Sequence, residues 1–331
     1  MRIELLDYLL TGDPRHAPAD TLANWHATLG PLQAGWPDPF EAAVAGGFQA
    51  DRIAWAFASG YQFALRALVP GLGGAADPVV AALCATEAAG NRPRDIRTTL
   101  RPVDGGWQID GEKRWATLGP DSTALLVVAV VPGDATAATG VPAPIAAGSA
   151  GRPRLRVARV PVGRPGVTIE PVADLSFVPE MPHARVRLDR VRLAESELLE
   201  GDGYSRYLKP FRTVEDIHVQ AALLGYLVRE ARHRGWPRPF VEATLASLAG
   251  LQAAAALDAG APHTHLLLAG ATTSVRQRVA EAGAHWQAGD ANDAACQRWQ
   301  RDVKILGVAE AVRTQRAASA WQALSAARGA G

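Results

Sequence analysis

The stretch GGWQIDGEKRWATLG, residues 105–119, decides the fold class. Polar and apolar side chains alternate along it, directly after a Gly-Gly pair that favours a tight turn, and this pattern is typical of a β-strand. An apolar run follows in TALLVVAVV, and alternation returns in RLRVARVPV and HARVRLDRVRL. Short strands with few helical segments between them predict a small antiparallel, barrel-like β domain over residues 83–200.

Helical sequence flanks this β domain on both sides. Residues 1–82 contain apolar residues at helical spacing, as in FEAAVAGGFQADRIAWAFASGYQFALRAL, and a Pro/Gly-rich segment at 70–74 ends them. From residue 201 onward, four segments have helical periodicity and are separated by Gly and Pro. The predicted class is therefore α+β, with an N-terminal helical domain (1–82), the central β domain and a C-terminal four-helix bundle (201–331).

The composition excludes several classes of protein. Hydrophobic residues make up 48% of the 331 residues and charged residues 20%, so the chain can bury a large core. A net charge of +1 argues against a nucleic-acid binder. The two cysteines form no disulfide framework, and the longest apolar run, residues 124–132, is too short to span a bilayer. We expect a cytoplasmic protein with no membrane contact.

The motifs of several common sites are missing from the sequence. Neither GxGxxG before a helix nor GxxxxGK[ST] occurs, so no Rossmann or P-loop nucleotide site is predicted. His263 and His265 have no further ligands at helical spacing, so no metal site is predicted. No serine lies in a nucleophile elbow, which leaves hydrolase chemistry without support.

Four stretches, taken in order, resemble the acyl-CoA dehydrogenase family. They are LCATEAAGNRPRDIRTTL (83–100), WQIDGEKRWATLG (107–119), RVRLDRVRLAESELLEGDG (185–203) and CQRWQRDVKILGVAEAVRTQR (296–316). The resemblance implies a homodimer or homotetramer that binds FAD and oxidises an acyl-CoA or another acyl thioester. In that reaction a carboxylate removes a proton next to the thioester and the flavin accepts a hydride.

The resemblance assigns seven residues to the flavin site: Leu83, Ala85, Thr86, Gly90, Asn91, Trp115 and Thr117. Thr86 matches the threonine that hydrogen-bonds the pyrimidine edge of the flavin, and Trp115 matches the aromatic residue beside it. Thr117 matches a hydroxyl near flavin N5, and the Asn91 amide takes the place of a serine that contacts the pyrophosphate. Taken singly, Trp115 is better explained as a core aromatic residue and the two threonines as ordinary strand residues, but their combination at this spacing favours the flavin site.

The catalytic base is assigned by register. Arg301-Asp302 matches an Arg-Asp pair of the family, and the catalytic glutamate lies nine residues after the arginine, which is Glu310 here. Such a base must be shielded from water so that its pKa approaches that of its task. The alternative is an ordinary exposed helix glutamate.

The sequence also departs from the family pattern. RGWPRPF replaces the loop that reaches the cofactor across the dimer, HWQAGDAND replaces the Gly-Gly turn at the adenosine end, and Asp216 replaces an arginine associated with CoA binding. An acid at that position is expected to repel a phosphate. Two alternatives therefore stay open: a degenerate member with weak or no FAD binding that acts as a structural or hetero-oligomer partner, and a flavin-dependent oxidase or monooxygenase on the same scaffold.

Overall fold

A computed structural model describes residues 1–15, 19–132, 153–172, 176–290 and 292–329 of the chain. The chain divides into two compact units. Unit 1 contains residues 1–78, 175–180 and 211–331, and unit 2 contains residues 79–174 and 181–210. Most of the sequence predicted as the N-terminal and C-terminal helical domains thus lies in unit 1, and most of the predicted β domain lies in unit 2.

The N-terminal part of unit 1 consists of α1 (Ile3–Thr11), α2 (Leu22–Gly35), α3 (Pro39–Gln49) and α4 (Ile53–Leu68). Asp38 caps α3, because its side chain accepts a hydrogen bond from the Glu41 backbone at 3.0 Å. Gly47 of α3 packs so closely that a Cβ there would lie 1.8 Å from the Ala222 carbonyl oxygen. The predicted helices are present, and small residues allow their close packing.

The rest of unit 1 is also helical. Its helices are α5 (Lys209–Arg234), α6 (Arg238–Ala255), α7 (Pro262–Gln287), α8 (Ala294–Asp302) and α9 (Glu310–Gly329). The prediction of one continuous last helix was wrong, because a 3₁₀ turn over Val303–Gly307 separates α8 from α9. Glycine disfavours a helix interior by about 1 kcal/mol relative to alanine, which fits a break at Gly307. Glu310 is therefore the first residue of a helix.

Unit 2 is built on a single sheet. Its strands are β1 (Ala81–Cys84), β2 (Thr99–Val103), β3 (Gly106–Thr117), β4 (Ala124–Val130), β5 (Leu155–Pro161), β6 (Val167–Pro171) and β7 (His183–Leu193). Among the described residues the order is β1-β4-β2-β3-β7-β6, with β5 on the other side of β4. β4 pairs in parallel with β1 and β2, and the other pairs are antiparallel, so the curled sheet is mixed. The α+β class is confirmed.

The core of unit 2 lies on one face of this sheet. Buried apolar side chains alternate with exposed ones along β7. This alternation is expected for a strand that has one face in the core and the other in solvent. Ile109 and Ala116 of β3 and Val186 and Leu188 of β7 belong to this core. β3 holds one more residue than β7 between Lys113 and Ala116, and this extra residue forms a β-bulge.

Candidate functional site

The bulge in β3 presents an aromatic side chain. Trp115 has φ 63° and is 51% exposed, although Lys113, two residues before it, and Ala116, directly after it, are fully buried. A left-handed backbone costs a non-glycine residue about 1–2 kcal/mol, and strained residues of this kind cluster at ligand sites. A large exposed aromatic side chain on a strained bulge is therefore a candidate binding surface.

The end of β1 lies against this bulge. The Arg114 backbone N–H, next to Trp115, donates to the Thr86 carbonyl oxygen at 3.0 Å. Leu83 is half-buried in β1, and Ala85 follows that strand and is buried. The structure thus brings together the two sequence stretches that carry the predicted flavin contacts.

Thr117 belongs to the same region. It lies two residues after Trp115, pairs with His183 across β3 and β7, and is half-buried. Buried Ala116 separates the two, so Trp115 and Thr117 both lie outside the core.

A tight turn follows Thr86. The backbone N–H of Glu87 donates to the Gly90 carbonyl at 2.9 Å, and the Gly90 N–H returns the bond at 3.1 Å. Gly90 has φ 133°, and a Cβ there would lie 2.7 Å from Asp95 Oδ2, so the turn itself requires glycine. Asn91 is exposed just beyond the turn. Of the seven predicted residues, Gly90 therefore has a backbone role whether or not a cofactor binds.

A buried ion pair that the sequence analysis missed lies beneath these segments. Lys113 Nζ donates to Glu87 Oε1 at 2.6 Å, and the lysine side chain is fully buried. Burial opposes ionisation of Glu87, but hydrogen bonds from Lys113 and Thr98 outweigh it and lower the pKa of that carboxyl. The available signal was composition, since Lys113 is one of only three lysines in a chain whose other basic residues are arginines.

Glu310 has a more open environment than predicted. Its carboxylate pairs with Arg276 Nη2 at 2.6 Å, and its side chain is 51% exposed. The expectation that Glu310 is shielded from water is therefore not met within this single chain. The assignment of Glu310 as the base stays a prediction.

The Arg-Asp pair that set this register has a structural role in unit 1. Fully buried Asp302 accepts a hydrogen bond from the Val178 backbone at 2.7 Å. Arg301 binds Glu180 at 2.9 Å and Asp302 at 2.6 Å. The pair thus holds residues 176–180 against the end of α8.

Asp216 is also placed differently from the expectation. It is buried in α5, and its carboxylate binds Arg313 at 2.9 Å and Arg316 at 2.6 Å, both from α9. The expected repulsion of a phosphate does not hold in this geometry, because both carboxylate oxygens are paired with arginines. Asp216 instead fastens α9 to α5.

The adjacent Glu215 is a titratable group that the sequence analysis did not single out. It is buried in α5 and accepts a hydrogen bond from Arg212 at 2.7 Å. Burial raises the pKa of Glu215 to about 7, with Arg212 opposing the shift and Asp216 adding to it. A carboxyl that changes charge near neutrality is a candidate for proton transfer.

Glu215 should make the stability of the protein depend on pH. Because its folded-state pKa is raised to about 7, its contribution to stability is complete below the unfolded pKa and is lost as the pH rises through 7. Urea unfolding at pH 5 and pH 8 measures this. We expect Glu215→Gln to remove about 2–3 kcal/mol of the pH dependence of the wild type. An identical pH dependence in both proteins would contradict the assigned environment.

A second feature of unit 1 is a cavity of about 580 Å³ lined by residues 233–237 and by residues 285, 286, 288–290, 293 and 296. Trp236 stacks on His285 with 5.1 Å between ring centroids, and it meets Trp286 edge-on. Arg234 lies 4.0 Å from the centroid of the Trp286 ring and pairs with Glu230 and Asp293. The cavity offers aromatic surfaces, and the charge of its arginine is matched by two carboxylates.

The described residues contain no group of three His, Cys, Asp or Glu side chains that could hold a metal ion. Within the same ranges, no helix is long and apolar enough to cross a membrane.

No family model and no curated protein matches the sequence. Solved structures do match. Butyryl-CoA dehydrogenase from Megasphaera elsdenii has a TM-score of 0.68 at 14% identity, over 96% of this chain and 94% of that one. Glutaryl-CoA dehydrogenase from Mycobacterium smegmatis has a TM-score of 0.65 at 14% identity, with the same coverage.

A third match is TdsC from Paenibacillus sp. A11-2, in a complex with FMN and indole. Its TM-score is 0.67 at 18% identity, over 95% of this chain and 94% of that one. Its similarity is comparable to that of the two dehydrogenases, so the scaffold alone does not specify the reaction. The chain has the fold of the acyl-CoA dehydrogenases.

Proposed function

We propose that the chain binds a flavin on unit 2 and uses it to oxidise an acyl thioester. The observation that carries this proposal is Trp115, which is 51% exposed on a strained bulge that is hydrogen-bonded to the Thr86 segment. Folding alone does not favour an exposed indole in a left-handed conformation. A flat aromatic ligand that packs on the indole would account for both the exposure and the left-handed backbone of Trp115.

The residues of unit 2 supply complementary contacts for such a ligand. The hydroxyls of Thr86 and Thr117 can donate hydrogen bonds to the polar edge of a flavin, and Trp115 can pack against its ring. Leu83 and Ala85 add apolar surface. When bound, the flavin supplies the hydride acceptor.

The phosphates have candidate partners in the turn beyond Gly90. Asn91 and Arg92 are exposed there, and Arg94 and Arg97 follow in the same segment. Side-chain amides and guanidinium groups are suitable donors to phosphate oxygens.

The resemblance favours FAD as the flavin. In a homodimer, the cavity at Trp236 and Trp286 could stack an adenine, whereas its paired Arg234 is a poor partner for a pyrophosphate. The FMN complex of TdsC makes FMN the second candidate. We therefore propose FAD, in a homo-oligomer.

Two carboxyls of unit 1 are candidates for the proton acceptor. Register favours Glu310, whose carboxylate pairs with Arg276 and is about half exposed. Environment favours Glu215, which is buried and whose pKa is raised to about 7. We propose Glu310 as the base and treat Glu215 as the competing assignment.

We also propose a cytoplasmic location, because the two cysteines form no disulfide bond. Cys84 and Cys296 are both buried and unbridged, as expected in a reducing compartment.

Anaerobic mixing of the flavin-loaded protein with a panel of acyl thioesters tests the reaction. We expect at least one thioester to bleach the flavin absorbance near 450 nm, which is about where oxidised flavins absorb. Bleaching by a chemical reductant but by no thioester would contradict the dehydrogenase assignment. It would favour the oxidase or monooxygenase alternative, which the likeness to TdsC supports.

A further inference from the structure

We infer that the buried Lys113–Glu87 ion pair positions the two segments that hold the flavin, and so sets flavin affinity and the environment of the flavin ring. This inference rests on the proposed function. Its evidence is the arrangement of one lysine and one carboxylate, whose contacts all lie within unit 2.

The carboxylate of Glu87 joins its own segment of backbone to the segment at residues 97–98. Glu87 Oε2 accepts the Arg97 N–H at 2.7 Å, and Oε1 accepts the Thr98 N–H at 3.0 Å and the Thr98 hydroxyl at 2.8 Å. Glu87 directly follows Thr86, and residues 97–98 close the segment that contains Asn91. Movement of this carboxylate therefore moves both ends of that segment.

Lys113 connects this carboxylate to the bulge. Its Nζ donates to Glu87 Oε1 at 2.6 Å and to the Ala85 carbonyl at 3.4 Å. Two residues later the chain reaches Trp115, and between them the Arg114 N–H binds the Thr86 carbonyl. The lysine thus contacts the strand exit on both sides of Thr86 and also fixes the start of the bulge.

Stability alone does not explain the pair. Lys113 is fully buried, and removing two charges from water costs several kcal/mol, so an apolar pair of similar volume is often as stable or more stable. What an apolar pair lacks is direction, because it cannot donate to the Ala85 carbonyl or accept from the Thr98 backbone. These directional hydrogen bonds fix the backbone next to Thr86 and next to Trp115. Fixed positions suit a site in which a rigid ring must fit between those two residues.

The experiment compares wild type, Lys113→Met, Glu87→Gln and the double variant Glu87→Gln/Lys113→Met. The double variant removes both charges, so it leaves no buried charge unpaired and keeps the test valid where a single variant unfolds. Arg52→Met is the control, because it removes a largely buried ion pair with Asp51 from unit 1.

Two readouts are needed. The first is flavin titration, with the absorbance spectrum of the saturated complex recorded well below the melting temperature. The second is hydrogen–deuterium exchange of residues 86–98 and 113–117 in the flavin-free protein. We expect the folded Lys113 and Glu87 variants to bind flavin about tenfold or more weakly, with an altered bound spectrum and faster exchange in both segments. Arg52→Met should lose stability but keep the wild-type affinity and spectrum.

Unchanged affinity and spectrum in the double variant would overturn the inference, even where its melting temperature falls. The failures of the two proposals are distinguishable. If wild type takes up no flavin, the proposed function fails together with the claim about flavin affinity, and the exchange data decide only whether the ion pair positions the two segments. Faster exchange in both segments would then support it, and unchanged exchange would overturn it.

Discussion

Replacing Glu310 with glutamine is expected to slow the reduction of bound flavin by an acyl thioester by roughly 10²–10⁴-fold. The amide is close in size to the carboxylate but cannot accept the proton, so binding of flavin should be unaffected. Rapid mixing under anaerobic conditions, followed at the flavin absorbance, measures this rate. Glu242→Gln is the matched control, because Glu242 is an exposed glutamate on α6.

Glu215→Gln, measured in parallel, separates the two candidate bases. The register predicts loss of reduction in Glu310→Gln and near-normal reduction in Glu215→Gln. The reverse pattern would contradict the assignment of Glu310. It would instead identify Glu215, the buried carboxyl whose pKa is raised to about 7, as the proton acceptor. Normal reduction in both variants would exclude both carboxyls.

Asp216→Asn is expected to destabilise unit 1 by about 3–5 kcal/mol. The substitution leaves Arg313 and Arg316 of α9 without the buried carboxylate with which their guanidinium groups pair. Urea unfolding followed by far-ultraviolet circular dichroism measures the loss, and the change should appear in the midpoint with little change in slope.

The control for this substitution is Asp7→Asn, on the exposed face of α1. It makes the same chemical change at an exposed site and should alter the free energy of unfolding by no more than about 0.5 kcal/mol. Equal effects at both positions would contradict the role of Asp216 as the anchor between α5 and α9.

The sequence predicts those parts of the molecule that depend on local pattern. Alternation after Gly105-Gly106 predicts the strand that the structure places over Gly106–Thr117, paired with β2 across that turn. Helical periodicity likewise predicts α3 and α4. These features follow from side chains within a few residues of one another, because the periods of strands and helices differ.

The contacts that define the site lie beyond such patterns. Asp216 and Arg313 are 97 residues apart, and Lys113 and Glu87 are 26 apart, so neither pairing has a local signal. The left-handed conformation of Trp115 arises because β3 carries an extra residue relative to β7, which only strand pairing reveals. Burial of a carboxyl is also a tertiary property, which is why the sequence singled out exposed Glu310 and passed over buried Glu215.

The central claim is that a flavin binds at the bulge in β3, and one titration tests it most directly. Flavin-free protein and its Trp115→Ala variant are titrated with FAD and with FMN, and binding is followed by quenching of flavin fluorescence. We predict saturable binding of one flavin per chain by wild type, and affinity lower by about tenfold or more in Trp115→Ala, because stacking on an aromatic side chain contributes about 1–3 kcal/mol. No saturable binding of either flavin by folded wild-type protein would contradict the account, as would equal affinity in the two proteins.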